Sequence, residues 1–241
     1  MAENFKIEGH THTAETSKCG RIPAAQLVDM YHSLGYNGLA ITDHLHEEYT
    51  SLLYCRDDWD TCVDRFLDGY KLAKKRGDEL GMSVIFGAEL RFQENENDYL
   101  IFGIDEAFLR DNPYLFRLGL EGFYNKFHND VLILQAHPFR ENNPFVDPNF
   151  IHGAEIVNCH PDHKNYNANA LAMCKENPGL YRICGSDAHR RPHVGRSFVL
   201  FDQPVNDSYE YKAAVESGCF SLHCFEEEDQ AILREAEEYF K

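Results

Sequence analysis

The sequence predicts an α/β fold of mostly parallel strands, built as a single barrel-like domain over residues 1–241. Three observations predict it. Short runs rich in Val, Ile, Leu and Phe recur along the chain, amphipathic stretches of helical period separate several of them, and no linker, internal repeat or low-complexity segment divides the chain. Several runs are continuously apolar rather than alternating, as expected of strands buried on both faces.

The first strand is read at Phe5 to Ile7. Pro23 to Leu34 then places Ala24, Leu27, Val28, Tyr31 and Leu34 on one helical face, with Pro23 suited to the first turn and Gly35 to the stop. A second strand at Gly38 to Thr42 completes a β-α-β unit. A longer amphipathic stretch, Asp57 to Leu80, carries Val63, Phe66, Leu67, Tyr70 and Ala73 and leads into a strand at Ser83 to Leu90. Further strands are expected at Tyr99 to Gly103, Val131 to Ala136, Ala154 to Val157, Arg182 to Gly185 and Ser197 to Phe201. Helices are expected at Asn165 to Cys174 and, amphipathic and acidic, from Glu226 to Lys241.

The 241 residues hold 23 Lys and Arg against 40 Asp and Glu, a net charge of −17. With 43% hydrophobic and 26% charged residues, disorder is excluded. The only basic cluster, Lys74-Lys75-Arg76, is too small for a phosphate-binding track, which argues against a nucleic-acid partner. The N-terminus lacks the apolar core of a secretory signal and no apolar run approaches the roughly 18 residues of a membrane span. A cytoplasmic protein with no membrane partner is expected. The eight cysteines contain no Cys-x-x-Cys pair and read mostly as small buried hydrophobes.

Thirteen histidines are the unusual feature, and their placement carries the functional reading. Metal-ligand residues fall at or just past the ends of the apolar runs: Glu8-Gly9-His10-Thr11-His12, Thr42-Asp43-His44, Gly87-Ala88-Glu89-Leu90, Ala136-His137-Pro138, Asn158-Cys159-His160 and Gly185-Ser186-Asp187-Ala188-His189. In an α/β barrel the C-terminal strand ends converge on one mouth. Any one of these histidines could simply cap a strand end, but six such coincidences point to one site. Glu89 lies in an apolar run, where a carboxylate needs a cation partner. Imidazoles with carboxylates and no paired thiolates suit Zn²⁺, Mn²⁺ or Fe²⁺, and the donors outnumber the roughly four or five positions around one ion, so two or three ions are expected. A polynuclear centre of this kind activates water for hydrolysis of phosphate esters.

These segments, in this order, resemble the motifs of the PHP (polymerase and histidinol phosphatase) family, over His10 to about Arg196. The resemblance implies a distorted, TIM-like (β/α)7 barrel and a di- or trinuclear phosphoesterase site. It implies that His10, His12, Glu89 and Asp187 hold a first metal, that Glu89 bridges to a second held also by His137, and that His44 and His189 hold a third. Asp43 would orient a ligand imidazole or the attacking water. Two positions depart from the family pattern. Ser17, Lys18 and Cys19 stand where a His or Asp is common, and Asn97-Asp98-Tyr99 stands where a second-metal His is expected. Asp98 is expected to replace that imidazole. Cys19, followed by Gly20, is read as a turn, leaving the third metal labile on His44 and His189.

Arg140 and Arg196 are expected to fork onto a phosphate, with Arg190 and Arg191 as further candidates. His160 and His163 are candidates for substrate contact or for a general-acid role. The stretches Glu47 to Trp59 and Phe139 to Phe150, with Tyr49, Tyr54, Trp59, Asn142 and Phe145, read as mouth loops. The function expected is hydrolysis of a small-molecule phosphate ester by metal-activated water. The competing readings are an amide or lactone hydrolase on the same cluster and a non-catalytic metal-binding module. The substrate and the oligomeric state are not legible in the sequence.

Overall fold

The computed structural model describes residues 4–53, 55 and 57–240. Its strands are β1 (Phe5–Glu8), β2 (Gly38–Ile41), β3 (His44–Leu45), β4 (Ser83–Phe86), β5 (Ala88–Arg91), β6 (Asp98–Phe102), β7 (Leu132–Gln135), β8 (Gly153–Asn158), β9 (Tyr181–Gly185), β10 (Ser197–Phe201) and β11 (Phe220–Cys224). The helices are α1 (Ala24–Ser33), α2 (Glu47–Leu52), α3 (Trp59–Leu80), α4 (Glu106–Asp111), α5 (Gly119–Phe127), α6 (Asn167–Glu176), α7 (Ser208–Ser217) and α8 (Glu227–Tyr239). Every strand and helix expected above is present, within a few residues at the ends, although the run at Ser83 to Leu90 divides into β4 and β5 at Gly87. Elements β3, β11, α2, α4, α5 and α7 were not anticipated.

The chain is a mixed α/β fold. One sheet has the order β11-β10-β1-β2-β4 and the other β3-β5-β6-β7-β8-β9, with a parallel bridge from Thr11 to Ala188 joining the ends of β1 and β9. Hydrogen bonding therefore divides the strands between two sheets, and closure into one barrel does not emerge from it. Nor is the arrangement as parallel as expected. The pairs β1–β2, β2–β4, β3–β5, β7–β8 and β8–β9 are parallel, but β1–β10, β10–β11, β5–β6 and β6–β7 are antiparallel. A short link accounts for one of these pairs: residues 92–97 between β5 and β6 are too few for the crossover of a dozen or more residues that a parallel return needs, whereas α4 and α5 lie between β6 and β7 and α7 lies between β10 and β11.

Two apolar cores hold these layers. The smaller packs Leu27, Val28 and Tyr31 of α1 and Ala73 of α3 on Leu39, Ile41 and Val84 of the first sheet. The larger fills the space around β4 to β9 and includes Phe66, Phe86, Phe102, Phe116, Phe123 and Tyr211. Helix α3 starts at Asp58, whose carboxylate accepts from the Thr61 amide, and stops at Gly81 in the left-handed conformation. Within it, Gly69 is required by contact: a Cβ there would lie 2.0 Å from Thr13 Oγ1 and 3.0 Å from Asp43 Oδ2. The helix is thus pressed directly against the strand-end loops that carry the histidines.

Cys55 and Cys62 form a disulfide with Cα atoms 5.0 Å apart, a pairing that the reading of the cysteines mostly as small buried hydrophobes did not anticipate. Cys159, Cys174, Cys184 and Cys224 are buried and free as expected. Among the described residues no helix is long and apolar enough to cross a membrane. Tyr54 and the Asn142 side chain, taken above as parts of mouth loops, lie outside the described residues, as does Lys241 at the end of the expected terminal helix.

Candidate metal centre

The pairing of β3 with β5 sets His44 directly beside Glu89, and β1 delivers His10 and His12 from the neighbouring sheet. Four imidazoles converge on the one buried carboxylate of Glu89. Its Oε1 lies 2.8 Å from His137 Nε2 and 3.4 Å from His10 Nε2, and its Oε2 lies 2.6 Å from His44 Nδ1 and 3.5 Å from His12 Nε2. Asp187 closes the group, with Oδ1 3.2 Å from His12 Nε2, 3.3 Å from His189 Nδ1 and 3.5 Å from His10 Nε2. His10 and His12 present Nε2 atoms to each other at 3.1 Å.

A buried set of nitrogen and oxygen donors this dense fits cations. His44 Nδ1, Glu89 Oε2 and Asp187 Oδ1 are buried without an aligned hydrogen bond, despite their short contacts. Sets such as His10–His12–Glu89, His10–His137–Asp187, His12–His44–His189 and His44–Glu89–Asp98 each bring their ligand atoms within 4.8 Å of one another. Burial opposes charge on Glu89, yet His44 and His10 overcome it and hold the carboxylate well below its ordinary range. The same holds at Asp187, where burial is outweighed by His10 and Arg140. Two of these ligand candidates, His137 at φ 30° and Asp187 at φ 51°, sit in the left-handed region, a backbone cost tolerated where the surrounding structure over-determines it.

The imidazoles are oriented from behind. Glu155 Oε1 lies 2.9 Å from His10 Nδ1, which directs Nε2 at the cluster, and Glu155 Oε2 accepts from the His137 amide at 2.8 Å. Gly185 makes room for this pair, since a Cβ there would meet Glu155 Oε1 at 2.3 Å. Glu155 escaped the sequence reading, although a carboxylate in the apolar run Ala154 to Val157 is the same signal that singled out Glu89. Asp43 accepts from the Thr13 amide and hydroxyl at 2.8 and 2.7 Å and from Ser17 Oγ at 2.6 Å. Ser17 Oγ in turn lies 3.4 Å from His12 Nδ1 and accepts from the His44 amide at 3.0 Å. With both oxygens engaged, Asp43 acts on the imidazoles through Ser17. Burial pushes its carboxyl up to about 6, against the hydrogen bonds from Ser17 and Thr13.

A cavity of about 340 Å³ opens over the cluster, lined by Cys19, His44, Tyr49, Glu89, Arg91, Asp98, His137, Arg140, His163, Asp187 and His189 among others. Arg140 is buried and committed: its guanidinium bonds Asp187 Oδ2 at 2.7 Å, Asn158 Oδ1 at 2.6 Å and Asn165 Oδ1 at 2.8 Å. Asp98 reaches within 3.9 Å of His137 Nε2, but both its oxygens receive Arg91 at 2.7 Å, because β5–β6 register sets the two residues opposite each other. Arg196 is not brought to the cavity: it bonds Cys159 O at 3.0 Å and Glu226 at 2.7 Å, tying the loop before β10 to the start of α8. Arg190 and Arg191 are exposed, Arg190 facing Asp162. His160 stacks edge-on against His189 and His193, and burial lowers its pKa to about 3. Cys19, read as part of a turn, instead lines the cavity together with His44 and His189, with its thiol 3.2 Å from the Tyr49 hydroxyl.

The sequence matches the PHP domain over residues 8–234. The chain belongs to the PHP domain family. No curated protein matches the sequence of this PHP chain. Solved structures share its fold at low identity. A two-domain protein from Bacteroides vulgatus, described as containing a predicted PHP-like metal-dependent phosphoesterase, aligns with TM-score 0.63 and 15% identity over 97% of this chain and 70% of its own. PsfC from Pseudomonas syringae aligns with TM-score 0.59 and 16% identity over 98% of each chain. An amidohydrolase from Chromobacterium violaceum, solved with sulfate and no metal, aligns with TM-score 0.52 and 15% identity over 90% of this chain and 97% of its own.

Proposed function

We propose that this PHP chain hydrolyses a phosphate ester of a small cytoplasmic molecule, using two or three divalent ions (Zn²⁺, Mn²⁺ or Fe²⁺) held by His10, His12, His44, Glu89, His137, Asp187 and His189. The observation that carries the reading is the convergence of four imidazoles on both oxygens of buried Glu89. A carboxylate so placed has one oxygen for each of two centres. When bound there, divalent ions supply Lewis acidity and lower the pKa of water enough for hydrolysis at neutral pH.

The chain's own residues do the rest. Glu155 and the Asp43–Ser17 pair hold the imidazoles with their ligating nitrogens facing inward. Arg140 fixes Asp187 and sets a buried positive charge at the floor of the cavity, where a phosphoryl group carries its negative charge. Arg91 and His163, at the cavity wall, add donors in an otherwise acidic protein. The cavity's size suits a small ester, and the net charge of −17 disfavours a nucleic-acid polymer. The sulfate held by the Chromobacterium relative is a tetrahedral dianion of the same kind as a phosphate monoester.

The test is a panel of phosphorylated metabolites and phosphodiesters, with one lactone and one amide, assayed with Mn²⁺, Zn²⁺ and Mg²⁺ supplied separately. Turnover of a phosphomonoester that needs added metal supports the proposal. Turnover of the lactone or amide alone would replace it with the acyl-hydrolase reading.

A further inference from the structure

We infer that Cys19 is a metal ligand, and that with His44 and His189 it builds a thiolate-bearing centre selective for Zn²⁺ beside the nitrogen and oxygen donors around Glu89. The inference rests on the proposed metal cluster and concerns the donor set of one of its centres.

Three features of the fold bring these side chains together. Cys19 lies in the loop after β1, and that loop is tied to both histidine-bearing strand ends. The Arg21 amide donates to His189 O at 2.8 Å, and the His12 amide to Ala188 O at 3.1 Å, which fixes the loop against the end of β9. Ser17, two residues before Cys19, accepts from the His44 amide and donates to Asp43, which fixes it against the start of β3. The turn is closed by Gly20, whose amide bonds Ser17 O at 2.9 Å and where a Cβ would lie 2.6 Å from Thr13 O. Hydrogen bonds on either side of Cys19 therefore hold it at the wall of the cavity that His44 and His189 also line.

The donors also point the right way. His189 Nδ1 donates to the carbonyl of Asp187 at 3.0 Å, leaving Nε2 as its ligating nitrogen. The ligand atoms of His12, His44 and His189 lie within 4.8 Å of one another, and the unbonded, fully buried Glu89 Oε2 faces the same space. The Tyr49 hydroxyl, 3.2 Å from Cys19 Sγ and stacked near His44, is placed to donate to a thiolate. A thiolate with two imidazoles is a soft set that favours Zn²⁺ over Mn²⁺ or Mg²⁺. The centre built on Glu89 and His137 has no sulfur donor. Two centres in one cavity would thus differ in metal preference.

Cobalt(II) titrated into metal-free, full-length protein tests this by absorption, without reference to activity. A thiolate ligand gives an intense sulfur-to-cobalt charge-transfer band in the near ultraviolet, and nitrogen or oxygen ligands do not. The inference expects the band in the native protein, its loss in Cys19→Ser, and cobalt binding without the band in Cys19→His. Circular dichroism of the variants checks that they fold. Cobalt bound with no charge-transfer band, or a band unchanged in Cys19→Ser, would overturn the assignment of Cys19 while leaving the Glu89 cluster standing. No cobalt bound at all would overturn both.

Discussion

Glu89 and Glu155 each interrupt an apolar stretch of a strand, and each lies against the His10 imidazole rather than against Lys or Arg. Their roles differ because one carboxylate faces the cavity and the other stands behind His10. Glu155→Gln keeps the shape but loses the charge that orients His10, so metal affinity should fall by about 10- to 100-fold. Isothermal titration of zinc into the metal-free variant measures it, and unchanged affinity would remove Glu155 from the supporting shell. Glu8 makes a separate prediction. Burial pushes its carboxyl up to about 7 from an ordinary 4.5, against hydrogen bonds from Ser186, the His10 amide and Tyr31. Between those two values the folded chain keeps a proton that the unfolded chain releases, so this residue's contribution to stability falls as pH rises through the window. In denaturant melts of metal-free protein from pH 4.5 to 7.5, native stability should decline relative to Glu8→Gln as pH rises. A constant difference would show that Glu8 does not titrate there.

Among the elements, those with strong periodicity were legible from the sequence and those shaped by contact were not. Helices α1 and α3 carry apolar residues at helical spacing with a glycine at or just past the end, and the buried strands read as continuous Val, Ile and Leu runs. Strand β3 has only two residues and exists because its register with β5 sets His44 beside Glu89, a tertiary cause with no local signal. Strand β11 alternates apolar and polar residues over only five positions, a pattern distinct from the continuous runs that mark the buried strands, and α4 has only six residues. The donors at the strand ends were legible because His, Asp and Glu interrupt apolar runs. The position of Arg196, the pairing of Asp98 with Arg91 and the entry of Cys19 into the cavity depend on loop paths and strand register that residue type alone does not encode. Gly69 illustrates the same limit. In an exposed helix Gly→Ala stabilises by roughly 1 kcal/mol. Here the methyl would strike Thr13 beside Asp43, so Gly69→Ala should instead destabilise by about 1 to 3 kcal/mol. Chemical denaturation decides the sign, and a more stable variant would contradict the contact between α3 and the loop after β1.

For the whole molecule, the cluster concentrates buried charge on residues from β1, β3, β5, β7 and β9 and their following loops, in both sheets. Ions bound there would link the two sheets beside the Thr11–Ala188 backbone bridge. Ligands that bind the folded state alone stabilise it by mass action, about 2.7 kcal/mol at a hundredfold excess over Kd. Removing metal with a chelator should therefore lower Tm, and restoring zinc or manganese should recover it, as scanning calorimetry would record. A Tm indifferent to chelation would mean that the strand ends are held without ions. The most direct test of the account is elemental analysis of protein purified without chelator, compared with Glu89→Gln. The account predicts at least two divalent transition ions per native chain and a clear loss in the variant, whose amide cannot bridge two centres as a carboxylate does. Native protein with less than about half an equivalent, and none taken up on titration, would contradict it.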